Sequence, residues 1–189
     1  MLDFIKRLHW QYASAGMPPK VRLRTAYHEA GHAYFMSKSS LWKNINIRLN
    51  ATGGLAHSEY GNRASFSDAE AGWLILRMVI AGAVTEQYFF GAYSKYGTWA
   101  DVSNGIDLAT GREASMLAYV DREVLTYKLS SVHLMLPDSI GCNVRKIMAS
   151  AVDSAIHCIH RDREKVRELG KALYRKSYVA EPEIRRILQ

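Results

Sequence analysis

His28-Glu29-Ala30-Gly31-His32 decides how this chain is read. On a helix, residues four apart stand on one face a turn apart, so both imidazoles would project side by side. Two neutral imidazoles at that spacing can hold one Zn²⁺, and Glu29 can reach a water on the same metal. Zinc lowers the pKa of that water toward neutrality, and a carboxylate can take its proton as the water attacks a carbonyl. The pentapeptide thus supplies two ligands and a general base. The plain alternative is a solvated helix turn that happens to carry these side chains.

Working outward, Thr25 is a candidate N-cap, with Val21 as an earlier start, and the helix is expected to run through Met36 and fade at Ser39-Ser40. Asn44 to Leu49 alternates, with Ile45, Ile47 and Leu49 on one face, and predicts a strand. Thr52-Gly53-Gly54 reads as a turn, after which Leu55 to Tyr60 can pair back as a second strand. A strand beside a metal site is a natural place for an extended peptide to add on.

Ser65 or Ser67 opens a long apolar helix that ends near Gly91. Its most apolar part, Trp73 to Val84, is interrupted by Arg77 and is too short to span a bilayer. Gly97 to Gly105 reads as a loop, and Ile106 to Tyr127 as a helix. From Val144 to Lys176 the residues Ile147, Ala151, Ala155, Ile159, Val166, Leu169 and Leu173 keep helical spacing through most of the stretch. Pro182 suits the first turn of a closing helix. The expected fold is mainly α with a small β-sheet.

Gly16-Met17-Pro18-Pro19 separates an N-terminal amphipathic segment, residues 1–20, from one domain over 21–189. Leu2, Phe4, Ile5, Leu8 and Trp10 alternate there with Lys6 and Arg7, which suits docking on a partner or membrane surface, or packing on its own domain. The 189 residues suffice for a sizeable core, and 48% hydrophobic residues with four prolines exclude global disorder. Neither a signal peptide nor a transmembrane segment is apparent. Cys142 and Cys158 share no metal-ligand spacing and read as reduced thiols of a cytosolic protein.

The formal charge of +7 admits nucleic acid, an anionic membrane or an acidic partner. Lys20, Arg22 and Arg24 cluster before the motif, Arg185 and Arg186 near the end, and Trp42 and Trp99 could stack bases. With no recognition motif, nucleic acid is not favoured.

A catalytic zinc normally takes three protein ligands and leaves one position for water. Glu59, Asp68, Glu70, Glu86, Asp101, Asp107 and the other histidines, among them His57, His133, His157 and His160, all remain open as the third, because spacing does not choose.

Thr25-Ala26-Tyr27-His28-Glu29-Ala30-Gly31-His32-Ala33 resembles the signature of the protease domain of FtsH-type ATP-dependent zinc metalloproteases. Ile80 to Gly91 is similar to that family's Gly-rich, Glu-containing helix with its aromatic-Gly end, and Gly97-Thr98-Trp99-Ala100-Asp101 to the segment bearing its third zinc ligand. Val144 to Leu188, with His160-Arg161-Asp162, resembles its closing helices. The resemblance covers roughly Val21 to Gln189. It implies an FtsH-peptidase-like helical domain with Zn²⁺ on His28, His32 and Asp101, and Glu29 as general base. Asp107 is the runner-up ligand, because Ala109-Thr110 stands farther from Asp101 than in the family. Glu86 matches an acidic position near the family's site, where it would orient a His or the Asp loop, the alternative being a helix-surface or salt-bridged carboxylate.

Two features of the family find no counterpart here: a phosphate-cradling Gly-x-x-x-x-Gly-Lys-Ser/Thr loop and a membrane anchor. The leading expectation is therefore a zinc endopeptidase acting on a protein or peptide, ATP-independent by itself, with a separate ATPase or a larger assembly as partner. The alternative is a catalytically silent module, a structural or binding subunit of a complex, but a structural metal needs no general base and Glu29 speaks for activity. The expected location is cytoplasmic, free or peripheral to a membrane or complex. The family's six-membered rings make a homo-oligomer a further expectation.

Overall fold

A computed structural model describes residues 2–94, 101, 104 and 138–189. The expected helix over Ile106 to Tyr127, the runner-up ligand Asp107, His133 and most of the Gly97–Gly105 segment lie outside the described residues.

Helix α1 (Leu2–Ala13) leads through a short turn into α2 (Pro19–Ser37), the helix of the His28/His32 motif. The strands β1 (Trp42–Leu49) and β2 (Gly54–Tyr60) follow, then α3 (Asp68–Phe90). After the undescribed stretch come α4 (Asp138–Arg161), α5 (Arg163–Lys176), β3 (Tyr178–Ala180) and α6 (Glu181–Leu188). The described protein is mainly helical, with one antiparallel sheet ordered β2-β1-β3.

Helix α2 starts at Pro19, ahead of both Thr25 and Val21, and Thr25 is not its cap. Proline fits the first helical position because its missing N–H would have no partner there and its φ is already helical. From Ala26 to Met36 every residue of α2 is buried, since α3, α5, β1, β2 and α6 pack around it. An amphipathic stripe is therefore absent: the helix that carries the motif runs through the core.

Of the two serines considered for the start of α3, Ser67 is the cap. Its hydroxyl accepts from the Glu70 N–H, while the Glu70 carboxylate accepts from the Ser67 N–H, a reciprocal pairing that satisfies two end donors. Gly91 closes α3 in the left-handed conformation, φ +72°. The stretch of helical spacing from Val144 to Lys176 forms two helices, broken at Asp162. Apolar spacing runs on across the break, with Ile159, Val166, Leu169 and Leu173 all fully buried, so periodicity does not mark it. Pro182 sits in the first turn of α6, as expected.

β1 pairs with β2 on one side and with β3 on the other, so the local hairpin becomes a sheet only through a strand near the far end of the chain. Ile45, Ile47 and Leu49 point into the core as the alternation predicts. The register slips between Lys43 and Asn46, where Asn44 takes φ +55°, a conformation asparagine tolerates better than most residues. Asp101 and Asn104 have helical backbone, not the expected loop, and both residue types favour helix starts. Cys158 is a free, half-buried thiol.

α1 packs on β3, β1 and α5. Arg22 ties this corner together, donating to the Ser14 carbonyl and hydroxyl, the Ser177 hydroxyl and the Tyr174 carbonyl. Among the described residues, no helix is long and apolar enough to cross a membrane.

Candidate metal centre

Because α2 is helical throughout the motif, His28 and His32 project together, and their Nε2 atoms lie 3.1 Å apart. Asp101 joins them across 69 residues of sequence: its Oδ2 is 2.9 Å from His28 Nε2 and 3.4 Å from His32 Nε2. These three separations lie close to the ~3.3 Å expected between donors placed tetrahedrally at about 2.0–2.1 Å from one ion. All three side chains are largely buried.

The outer nitrogens explain why the inner ones converge. His28 Nδ1 lies 2.8 Å from Glu86 Oε1, and His32 Nδ1 lies 2.7 Å from the Met78 carbonyl, both partners being on α3. Neither partner can donate, so each Nδ1 carries a proton, and Nε2 is the nitrogen each ring turns inward to offer a metal ion. The third member, Asp101 Oδ2, is buried without a hydrogen-bond partner. Two ring nitrogens and a carboxylate oxygen thus face one another at close range, an arrangement that repels unless a proton or a metal cation lies among them. The cluster can therefore hold a metal ion.

Left to protons alone, the group responds in the same sense. Burial works against a charged His28, but the Asp101 and Glu86 carboxylates beside it outweigh that and hold its pKa up at about 10. Burial alone would raise the Asp101 pKa, yet its contacts with His28 and His32 bring it well below the usual carboxylate range. A metal ion replaces those protons, as it does in other histidine-carboxylate sites.

Glu86, one candidate for the third ligand, instead stands behind His28. Its Oε1 meets His28, and its Oε2 accepts from the Arg24 guanidinium at 3.3 Å and the Ser94 N–H at 2.9 Å. It is not a helix-surface carboxylate, since only 3% of its side chain is exposed, but it is a salt-bridged one that also lies against His28. Arg24, which the sequence reading grouped with a basic cluster, is the counter-charge that makes the buried carboxylate tolerable.

Glu29, which follows His28 on α2, is buried, and burial raises its pKa, offset in part by His32 and His28. Its carboxylate accepts a hydrogen bond from the backbone of Ala56 on β2. Two glycines allow the close approaches. A Cβ at Gly54 would stand 2.5 Å from Glu29 Cγ, and one at Gly82 would stand 2.4 Å from the His28 ring. A cavity of about 480 Å³ opens beside His28 and Glu29, bordered by Lys20, Thr25, Gly53, Gly54 and Ser94.

Other described sequence candidates lie elsewhere. Glu59 accepts from Asn44 on the exposed sheet edge, Glu70 serves the α3 cap, and His160 meets the Tyr88 hydroxyl. Two features had no readable signal: the Met78 carbonyl, a main-chain group, and Gly82, one glycine among thirteen. No protein-family model matches this chain, and no curated protein is similar to it.

Proposed function

We propose that the chain is a zinc-dependent endopeptidase of the FtsH type, with zinc held by His28, His32 and Asp101. The observation that carries this reading is the convergence of two Nε2 atoms and an Asp101 Oδ2 without a hydrogen-bond partner, with Glu29 buried beside them. Two imidazoles and one carboxylate leave a fourth tetrahedral position, the pattern of a catalytic zinc and not of a closed structural one. Bound zinc supplies a Lewis acid for the scissile carbonyl and lowers the pKa of a water.

The chain's own groups do the rest. Glu29 takes a proton from the attacking water and returns it to the leaving amine nitrogen. Its raised pKa suits that exchange, since a base that must hold a proton briefly works best when its affinity lies nearer the operating pH. Glu86 keeps the His28 proton on Nδ1, with Arg24 holding the charge on Glu86. β2 is at the edge of the sheet and reaches Glu29 through Ala56, so an extended peptide laid along it would run past the carboxylate. The cavity by Thr25 and Gly54 would take a substrate side chain.

The test is Glu29→Gln. The variant is expected to keep one equivalent of zinc by elemental analysis and to lose casein cleavage by a factor of about 10² or more. A zinc-loaded Glu29→Gln protein that still cuts would overturn the assignment. A wild-type protein that binds zinc and cuts nothing would leave a metal-holding module in place of a peptidase.

A further inference from the structure

α1 turns its apolar side outward. Phe4, Ile5, Leu8 and Tyr12 share one face of the helix and are 64%, 57%, 51% and 88% exposed. The side that meets the body is held by polar and cationic contacts. Arg7 pairs with Glu183 at 2.7 Å, the Arg48 guanidinium lies 4.7 Å from the Trp10 ring, and just past the helix the Ser14 and Ser177 hydroxyls bond at 2.8 Å. Four large apolar side chains in water would be a cost without return unless something covers them.

Charge at the rim of this stripe says what that is. Arg7, Lys176 and Arg186 all share the single carboxylate of Glu183, so positive charge is in local excess along one flank. Exposed His9 follows the stripe on its other flank, while Lys6 turns toward the body, its ammonium 5.8 Å from the Tyr178 ring. Two such faces would repel each other, and a twelve-residue helix about 18 Å long offers far less than the ~800 Å² per partner of a stable dimer. An anionic bilayer answers both features: its headgroups meet the cations while the four side chains enter the acyl boundary.

We propose that α1 is a membrane-docking helix that lies in the interface of an anionic bilayer, with Phe4, Ile5, Leu8 and Tyr12 inserted and Arg7, Lys176 and Arg186 at the headgroups. This inference does not depend on the peptidase reading. Co-sedimentation with vesicles tests it. The full chain is expected to bind phosphatidylglycerol/phosphatidylcholine vesicles, to leave pure phosphatidylcholine largely unbound, and to lose affinity as salt is raised. Phe4→Ser/Leu8→Ser is expected to weaken binding at least about tenfold without shifting the melting temperature, since both side chains are exposed. Arg186→Glu is expected to weaken it about tenfold as well. Three results would overturn the proposal: no binding to anionic vesicles, equal binding to neutral ones, or a Phe4→Ser/Leu8→Ser protein that melts several degrees lower. A concentration-dependent dimer abolished by the same pair would assign the stripe to a second copy and overturn it too.

Discussion

Gly82 has no side chain, and His28 uses the space one would fill. Replacing it by alanine puts a methyl group into the imidazole ring, so the ring must tilt away from Glu86 or from Asp101. Gly82→Ala is expected to weaken metal binding by roughly 10–100-fold, the range for losing a partner that orients a ligand. Competition against a chromogenic chelator reads this directly, and unchanged far-UV circular dichroism would show that α3 still forms. At this scale legibility follows sequence distance. His28, Glu29 and His32 can be read together because one helical turn fixes their relation. Asp101 and Glu86 could not be chosen from spacing, since nothing local ties either to the motif. Only the resemblance singled out Asp101, which the structure places against both imidazoles.

Among the elements, the junction of α4 and α5 carries the clearest energetic consequence. Asp162 accepts a 2.6 Å hydrogen bond from the Tyr34 hydroxyl on α2 and lies 3.4 Å from the Lys38 ammonium. These contacts, Tyr34 first, lower its pKa against a modest opposing effect of burial. A carboxyl with a lowered folded-state pKa adds stability above its unfolded pKa and loses it as pH falls through the folded one. Asp162→Asn is therefore expected to cost about 1 kcal/mol near neutral pH, and the gap in urea midpoints should close as the wild-type carboxyl protonates in acid. A gap independent of pH would contradict this account. The break itself was hidden in the sequence because the apolar spacing ignores it. The start of α2 was misplaced for a related reason: Thr25 looks like a cap, but tertiary burial and a permitted Pro19 carry the helix further back.

For the whole molecule, the metal and the fold are thermodynamically linked. A ligand present at 100 times its Kd adds about 2.7 kcal/mol, which for a protein of this size is a rise on the order of 5–10 °C in melting temperature. Chelation is expected to remove that increment, zinc to restore it, and Asp101→Ala to abolish the difference, all by calorimetry. The mainly helical class with one small sheet was legible from composition and periodicity. The third strand was not, because Tyr178–Ala180 is too short to show alternation and is a strand only by virtue of its partner.

That partnership places a condition on synthesis. β1 leaves the ribosome about 130 residues ahead of β3, a gap of roughly ten seconds at common translation rates. Gly170 of α5, which packs on Tyr27 beside the motif, also emerges within this late stretch. Until then, the helix that bears His28, Glu29 and His32 lacks one wall and the sheet lacks one edge. The order of elements along the chain thus works as a clock, withholding an assembled centre from the nascent polypeptide until the α5 and β3 residues have been joined.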